Sequence, residues 1–519
     1  MNCSIETKIS SGEKIDHDEE NAKLIVSELI DLLQDERAYR DLAVVTEITK
    51  TVQLLIRQKD CRRKEVINHP QLITSLAKLF NTDNDLTCLL SSLFHDLSTE
   101  EDGIRLLLIT GIIPILLQTL EVLNDDVINF ILTTLRNCLI GLNTESGEEI
   151  QAHNGCMIFI SLLIHRHSDK QMNFLADCLL RLAMFNKNAQ IYLQTSKLFL
   201  QELVSILDET NYNKLSCTLI RMLPLLSSNI QTKSLLIQFN LISTLEKLLH
   251  LKIDSKIQRY CLLTLRNLSN EIIHMDIFDS LILTLIQLLS SDVDIQIKGY
   301  IIDILSNLSC ENQANKSLMI RNNIIHLLVH ILIQIENRDE MIESIVCTLR
   351  HLTGRCPLAH QARESIRMYN VIPILIKYLH LKESNWSLLK ACIGLIRNLA
   401  LASNNMKILC EHRTICKIGK LFFQMKHIPE RYEIFVTTLF VFTQQQDENF
   451  QVIIYDQIIN SNCIETLVQL ATTNNCDQIQ QMSKTIIDDI CQCGEQNDYR
   501  QRIRDIEKSI KIAQFIQFD

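Results

Sequence analysis

The chain has 519 residues, of which 47% are hydrophobic, and a formal net charge of −10. This acidic balance argues against direct nucleic-acid binding, which depends on an excess of Lys and Arg to neutralise phosphates. With only 11 Gly and 6 Pro, the composition favours long, closely packed helices over strands joined by tight turns.

The chain begins with a polar, acidic stretch, MNCSIETKISSGEKIDHDEE. Because it lacks a periodic apolar face and the apolar core of a signal peptide, we predict a disordered tail over residues 1–22. Later apolar stretches such as 106–120 are interrupted by Thr, Gly and Pro. None supplies the roughly 20 uninterrupted apolar residues of a membrane span, so we expect a soluble intracellular chain without membrane insertion.

The 18 cysteines follow no repeated spacing. In a long helical chain this is typical of reduced, mostly buried thiols in the cytosol or nucleus. Cys491 and Cys493 form a lone C-x-C pair, for which ordinary core and edge cysteines are favoured over a metal or redox site. We expect neither a metal nor a cofactor.

From residue 23 onward one short motif recurs. It reads LRNLS at 265–269, LSNLS at 305–309, LRHLT at 349–353 and IRNLA at 396–400, with weaker copies at 94–98 and 135–139. The central residues of neighbouring copies are 40 to 47 residues apart, except between Asn137 and Asn267, where a gap of 130 residues corresponds to three intervals with degenerate copies near Arg181 and Leu225. A period of about 40–47 residues in a helical chain is the signature of HEAT and armadillo arrays. Such a solenoid is largely one extended surface, which favours binding over catalysis.

Extending this register places one central residue, here called the marker, in each of eleven repeats. The markers are Leu55, Asp96, Asn137, Arg181, Leu225, Asn267, Asn307, His351, Asn398, Val441 and Asp489. Upstream strings with apolar residues at i, i+3, i+4 and i+7 predict further amphipathic helices in the repeats. We therefore predict an all-α array over residues 23–501, with 502–519 as a partial twelfth repeat or a capping helix.

The marker helices are predicted to line a shared concave groove. An Asn side chain can donate and accept, so it could pair with the backbone of an extended peptide of any sequence. The alternative is that each amide bridges neighbouring repeats or caps a bend. The period does not choose between these interpretations.

The residue before the marker is Arg in four repeats, at Arg136, Arg266, Arg350 and Arg397. Further basic residues nearby are Lys170, Lys316, His351 and Arg355. A positive stripe in an acidic protein suggests an acidic partner in the groove. The alternative is a solvated face paired with Asp or Glu of the next repeat; recurrence at one position favours the partner.

Four segments resemble the armadillo domain of beta-catenin and plakoglobin. They are CLLTLRNLS (261–269), ILSNLSCENQANK (304–316), CTLRHLTGR (347–355) and WSLLKACIGLIRNLAL (386–401). The resemblance covers roughly residues 22–515 and is strongest over 258–405. It implies a right-handed superhelical armadillo solenoid, without enzyme activity, that binds acidic segments of cadherin tails, T-cell factor proteins, APC and axin.

The resemblance also implies the groove residues. Lys316 matches a lysine that anchors acidic ligand side chains, and Lys170 matches a groove lysine further upstream. The expected peptide-groove residues are Asn137, Lys170, Arg266, Asn267, Asn307, Lys316, His351, Arg355, Arg397 and Asn398.

Several positions depart from the family pattern. Gln190 stands where a first lysine anchor is expected, Pro224 replaces a groove lysine, and Asp96 replaces an Asn; Cys217 and Leu263 replace tryptophans. We therefore expect ligands to engage mainly repeats six to nine, and APC or axin binding to be weakened. The family's DSGxxS phosphodegron, alpha-catenin-binding segment and acidic transactivation tail have no recognisable counterpart, so the sequence leaves turnover control, alpha-catenin linkage and transcriptional activation open.

No nucleotide-binding or hydrolase motif of the G-x-x-x-x-G-K-[ST], G-x-G-x-x-G, H-E-x-x-H or G-x-S-x-G type is present. We predict a monomeric scaffold in Wnt signalling or cell–cell adhesion, in the cytoplasm and nucleus and at cell junctions. The alternatives are a junctional cadherin-tail binder without alpha-catenin linkage, a competitor that dampens Wnt signalling, and a scaffold that binds through its convex face.

Overall fold

The structure is a computed structural model that describes residues 15–58, 61–120, 125–165, 168–209, 213–251, 254–272, 279–335, 339–380, 385–473, 476–493, 500–501, 503–506 and 508. Over these residues the chain consists of α-helices joined by short turns, without a β-strand. It divides into two compact units, unit 1 (residues 1–267) and unit 2 (residues 268–519). The all-α prediction is confirmed.

Unit 1 begins with six short or medium helices and continues in groups of three. Its helices are α1 Ile15–Gln34, α2 Glu36–Arg40, α3 Leu42–Arg57, α4 Cys61–Asn68, α5 Pro70–Ala77, α6 Asn84–Leu97, α7 Glu101–Ile109, α8 Ile112–Thr119, α9 Asp125–Gly141, α10 Asn143–Ala152, α11 Gly155–Ile164, α12 Asp169–Phe185, α13 Lys187–Thr195, α14 Lys197–Glu209, α15 Lys214–Leu226, α16 Ile230–Gln238, α17 Leu241–Leu249 and α18 Ser255–Ser269, the last of which ends just past the unit boundary.

Unit 2 repeats the same pattern. Its helices are α19 Asp279–Ser290, α20 Ile295–Ser309, α21 Gln313–Arg321, α22 Ile324–Gln334, α23 Asp339–Leu352, α24 Ala359–Met368, α25 Ile372–Tyr378, α26 Trp386–Ala400, α27 Ser403–Glu411, α28 Thr414–Gln424, α29 Tyr432–Thr443, α30 Glu448–Ile459, α31 Ile464–Thr473 and α32 Asp477–Cys493, with a short 3-10 turn at Pro429–Arg431.

Each predicted marker lies within the last five residues of a helix, and we call these helices the third helices. They are α3, α6, α9, α12, α15, α18, α20, α23, α26, α29 and α32. Asp, Asn or Ser often precedes them: Asp83 and Asp294, for example, accept backbone N–H groups at the starts of α6 and α20. Such caps satisfy donors that the first helical turn leaves free.

A left-handed residue separates the first and second helices of most repeats. Gly111, Asn154 and Asn240 take this conformation in unit 1, with φ of 67°, 60° and 67°; in unit 2 it recurs at Asn323, Asn370, Arg413 and Asn462. Asn tolerates the left-handed region better than most residues. The recurrence explains why Asn is frequent at these turns.

The core of each unit lies between stacked third helices. In unit 1, α3, α6, α9, α12 and α15 pack one on the next, and in unit 2 α20, α23, α26, α29 and α32 do the same. Side chains such as Phe94, Leu135 and Phe435 are completely buried in these stacks. Full burial of one such side chain stabilises the fold by about 1.5–3 kcal/mol. Stacking therefore stabilises the arrangement of the third helices.

The first helix starts earlier than the predicted array. Helix α1 begins at Ile15, within the expected tail of residues 1–22, and its buried side chains Ala22, Val26, Leu29 and Leu33 follow helical spacing. This spacing places an apolar stripe against the core, which stabilises the whole helix including its polar first turns. Residues 1–14 and most of 502–519 lie outside the described residues, so the predicted tail and cap stay predictions there.

No single helix in the described part of the chain has the length and apolar composition of a membrane span, although two bent pairs, α7 with α8 (83°) and α21 with α22 (75°), reach them when taken together. Within the same residues, no three His, Cys, Asp or Glu side chains are grouped in a way that could hold a metal ion.

Candidate functional site

The four predicted Asn markers donate hydrogen bonds to the preceding repeat. In unit 2, Asn307 donates to Ser269 Oγ (2.8 Å), and Asn398 donates to the Arg350 carbonyl (2.9 Å) and Thr353 Oγ1 (3.3 Å). In unit 1, Asn137 donates to Ser98 Oγ (3.0 Å) and Asn267 to Ser227 Oγ (3.0 Å). The amide donors therefore bridge neighbouring repeats, which is one of the two interpretations that the period left open. Peptide binding by these residues stays a prediction.

His351 occupies the marker position of α23 and makes the same kind of bridge. Its Nδ1 lies 3.1 Å from the Ser306 carbonyl and 3.2 Å from Ser309 Oγ, while Arg350 Nη2 lies 3.4 Å from its Nε2. Burial, reinforced by the charges of Arg350 and Lys316, lowers the pKa of His351 to about 4. The imidazole is thus neutral at pH 7, which corrects the expectation that His351 contributes to a positive stripe.

Lys316 lies on the first helix of its repeat, α21, and is almost covered. Only 5% of the residue is exposed, and its Nζ lies 3.4 Å from the Arg355 carbonyl, a long hydrogen bond. Burial lowers the pKa of Lys316. Among the described residues no carboxylate forms an ion pair with this ammonium group. Lys316 is therefore a recessed cation, and its role as an anchor for acidic ligand side chains stays a prediction.

Two arginines on successive third helices lie beside Lys316 and His351. Arg350 of α23 rests on Gly394 of α26, where an added Cβ would lie 2.8 Å from Arg350 Cδ. Arg397 of α26 donates from Nη1 to Thr437 Oγ1 of α29 (3.1 Å). Burial, together with the charge of Arg350, lowers the pKa of Arg397, which shows that the two guanidinium groups are close.

We call Lys316, Arg350, Arg355 and Arg397 the cationic cluster. Arg355 is exposed in the turn that follows α23, and its backbone carbonyl accepts the hydrogen bond from the ammonium of Lys316. Within the described chain, no cluster member forms an ion pair with a carboxylate. The carboxylates of Glu311 and Glu433 act on Lys316 and Arg397 only at longer range, without forming an ion pair. Buried positive charges that are incompletely balanced are costly, and they favour an anion from another molecule. Asn307, His351 and Asn398 lie on the stacked third helices α20, α23 and α26, of which α23 and α26 also carry Arg350 and Arg397. Unit 2 therefore brings six of the predicted groove residues to neighbouring helices.

The predicted groove residues of unit 1 are not gathered in this way. Lys170 is exposed at the second position of α12, with its Nζ 5.9 Å from the centre of the Phe174 ring. Neighbouring Gln171 contacts Asp125 at the start of α9, whereas Asn137 lies twelve residues further along α9, about 18 Å at 1.5 Å per residue. Lys170 and Asn137 therefore lie at opposite ends of this helix pair.

Arg136 of unit 1 is paired within the chain. Its Nε lies 2.5 Å from Asp177 Oδ2 of the next third helix, α12, and Arg181 Nε lies 3.4 Å from the same oxygen. The side chain of Asp177 is 14% exposed. Pairing with an acid of the next repeat, the alternative interpretation of the stripe, is thus observed at Arg136. Sequence reasoning missed Asp177, although its distance of 41 residues from Arg136 is close to one repeat period.

The replaced lysine positions of unit 1 are also satisfied internally. Gln190 Nε2 lies 3.5 Å from the Leu225 carbonyl, and Gln194 Nε2 lies 2.9 Å from the same oxygen. Pro224 lies inside α15 and its carbonyl accepts from Asn267 at 3.4 Å. Arg266 is exposed near the end of α18. Unit 1 therefore offers few cations to a ligand along its third helices.

Comparisons with known proteins identify relatives of one kind. No protein-family model matches the chain. It is 31% identical to human junction plakoglobin over 418 residues, which are 80% of this chain and 54% of the relative. It is 33% identical to catenin beta of Urechis caupo over 406 residues (78% and 48%) and 32% identical to the Armadillo segment polarity protein of Musca domestica over 424 residues (81% and 51%). The chain thus spans about half the length of these relatives.

The fold is shared with solved structures. A structure from a study of the phosphorylation switch that controls the interaction between cadherin and beta-catenin matches with a TM-score of 0.73 at 20% identity, covering 90% of this chain and 99% of that chain. An engineered protein matches with a TM-score of 0.55 at 16% identity and the same coverage. The eleven third helices, their recurring motif and these relatives together show that the chain belongs to the beta-catenin and plakoglobin family of armadillo-repeat proteins.

Proposed function

We propose that the chain is a protein-binding scaffold whose cationic cluster in unit 2 holds an extended acidic peptide. The observation that carries this proposal is Lys316, a residue that is 5% exposed and whose ammonium, among the described residues, donates a single hydrogen bond, to the Arg355 carbonyl at 3.4 Å, and forms no ion pair. A carboxylate or phosphate delivered by a ligand would supply the missing counter-charge. Charge-assisted contacts of this kind contribute about 1.5–3 kcal/mol each.

The proposed ligands are cadherin cytoplasmic tails and the acidic N-terminal segments of T-cell factor proteins. The first is supported by the solved neighbour, in which cadherin interacts with beta-catenin, and by the similarity to junction plakoglobin. Both ligands would use the same cations, since both present acidic side chains on an extended backbone. The setting would be cell–cell adhesion or Wnt signalling, in the cytoplasm and nucleus and at junctions.

APC and axin are proposed as weaker partners. The neutral amide of Gln190 contacts the Leu225 carbonyl in unit 1, where the family pattern has a lysine anchor. Loss of one charge-assisted contact corresponds to about tenfold or more in affinity. Ligands that depend on this upstream position would lose the most.

Charge reversal at Lys316 tests the proposal. We expect Lys316→Glu to weaken binding of a fluorescent acidic cadherin-tail peptide at least about tenfold, measured by anisotropy at fixed salt. Lys420→Glu, which reverses an exposed lysine of α28, is the matched control and should leave the dissociation constant unchanged. Equal affinities for wild type and Lys316→Glu, with both proteins folded, would contradict the proposal and favour binding through another face.

The two ligand classes can be separated with the same assay. A T-cell factor N-terminal peptide and a cadherin-tail peptide would be compared directly and then in competition. Preference for the cadherin peptide would favour a junctional role, whereas preference for the T-cell factor peptide would favour a signalling adaptor or a competitor. Competition between them is expected in either case, because both need the cationic cluster.

A further inference from the structure

One geometric rule relates three of the four Arg residues that precede a marker to the next third helix. The rule involves the residue four positions before the next marker, which lies one helical turn from it; we call this the −4 position. Arg136 meets Asp177, Arg350 meets Gly394 and Arg397 meets Thr437. All three partners stand at the −4 position of their helices. Side chains one turn apart share a helix face, so the contact repeats with the stack.

The chemistry of the −4 residue differs among the three contacts. Asp177 presents a carboxylate, with Oδ2 at 2.5 Å from Arg136 Nε. Gly394 has no side chain, and Thr437 accepts from Arg397 Nη1 at 3.1 Å with a neutral hydroxyl. Arg136 is therefore paired with a carboxylate, whereas no carboxylate of the described residues forms an ion pair with Arg350 or Arg397. Glu433, a further turn back on α29, acts on Arg397 only at longer range.

We infer that the −4 residue of the following third helix is the specificity determinant that decides which arginines can bind an acidic peptide. This inference rests on the proposed function. Asp177 acts as an internal ligand, taking the place at Arg136 and Arg181 that an acidic side chain of a partner would take. Because Asp177 is tethered beside both arginines, its effective concentration exceeds that of a free peptide at micromolar levels. Gly394 and Thr437 leave that place open.

A reciprocal exchange at the −4 positions tests the inference in the full chain. Thr437→Asp places a carboxylate beside Arg397, and we expect it to weaken binding of the acidic cadherin-tail peptide about fivefold to tenfold. Thr437→Asn is the matched control, similar in shape but neutral, and should change affinity by less than about twofold. If Thr437→Asp binds as tightly as Thr437→Asn, the inference is overturned.

The opposite exchange should create a site. We expect Asp177→Thr to make the unit 1 fragments that contain Arg136 and Arg181 label with a short polyglutamate photo-crosslinking peptide at least about fivefold more than in wild type, with loss of labelling at high salt. Glu148→Gln, which removes an exposed carboxylate of α10, controls for the change in net charge and should not raise labelling. Absence of extra labelling in a folded Asp177→Thr protein would count against the inference.

The two proposals fail in distinguishable ways. If Lys316→Glu binds normally, the proposed function fails, whereas the labelling of Arg136 and Arg181 in Asp177→Thr still decides the inference on its own. Should Asp177→Thr not fold, as judged by its thermal transition, Asp177→Asn keeps the hydrogen-bonding shape and removes only the charge. The Thr437 pair provides an independent readout in unit 2.

Discussion

The two units place arginine at the same point of the repeat and treat it differently. In unit 1, Arg136 shares Asp177 with Arg181. In unit 2, Arg350 and Arg397 meet a glycine and a threonine. An Arg of the stripe is therefore paired within the chain in one unit and belongs to a cationic cluster in the other. The partners of a charge, rather than the charge itself, determine what it can bind.

The first helices show the same contrast. Gln190 and Lys316 both stand at the fourth residue of a first helix, and each contacts a carbonyl at or just after the end of the third helix of its own repeat, at 3.5 Å and 3.4 Å. The amide of Gln190 is neutral and requires no counter-ion, whereas the ammonium of Lys316 carries a charge that no ion pair balances.

An aspartate of unit 1 is also paired within the chain. Hydrogen bonds from His95, Gln53 and Arg57 lower the pKa of Asp96 despite its burial, which strengthens the internal pairing of unit 1.

Charge reversal of matched arginines should separate the units most strongly. We expect Arg350→Glu with Arg397→Glu to weaken acidic-peptide binding about a hundredfold, since two charge-assisted contacts of about 1.4 kcal/mol each are lost. Arg136→Glu should leave affinity nearly unchanged and instead lower the thermal transition, because Glu would face Asp177. Anisotropy and thermal unfolding of both variants check this; a similar loss of affinity in both would remove the contrast.

The neutral His351 gives unit 2 a pH dependence. Its pKa of about 4 in the folded chain lies below the ordinary value of about 6.5 in the unfolded chain. The unfolded state therefore binds the proton first, and stability is full above about pH 6.5 and falls as pH decreases towards 4, by on the order of 2 kcal/mol. We expect His351→Asn, which restores the amide of neighbouring markers, to flatten denaturant-unfolding stability over this range.

The buried charge of Lys316 should lower the stability of the folded chain while contributing to acidic-peptide binding. Lys316→Met keeps the length of the side chain and removes the recessed charge, so we expect unfolding free energy to rise by on the order of 1 kcal/mol. The same variant should lose acidic-peptide affinity. A decrease in stability would instead indicate that the long contact to the Arg355 carbonyl is structurally important. Gln190→Met, with no charge to remove, is the matched control in unit 1.

The smallest expected effect concerns the packing of Arg350 against Gly394. In Gly394→Ala the new Cβ would lie 2.8 Å from Arg350 Cδ, and the flexible arginine would shift to relieve this contact. We expect about a threefold loss of acidic-peptide affinity, within the range of one weakened contact, and little change in melting temperature. Gly299→Ala, which meets nothing within 4 Å, is the control on α20.

The sequence alone determined the repeat architecture. The 40–47-residue period, the helical spacing of the apolar residues and the position of each marker near a helix end are local patterns, and helix formation and burial follow them directly. The resemblance over 258–405 also indicated Lys316, His351 and Asn398 as residues of one surface. Only the start of α1 at Ile15 preceded the expected boundary, because burial of one apolar stripe orders polar neighbours in the same helix.

The tertiary structure decided which of these residues carry usable charge. The partner of Arg136 stands 41 residues away and that of Arg397 40 residues away, so no local pattern distinguishes a paired arginine from an open one. The neutral state of His351 and the recessed ammonium of Lys316 arise from burial between stacked helices. Burial and pairing depend on what the next repeat places opposite each side chain, and that is a property of the packed stack.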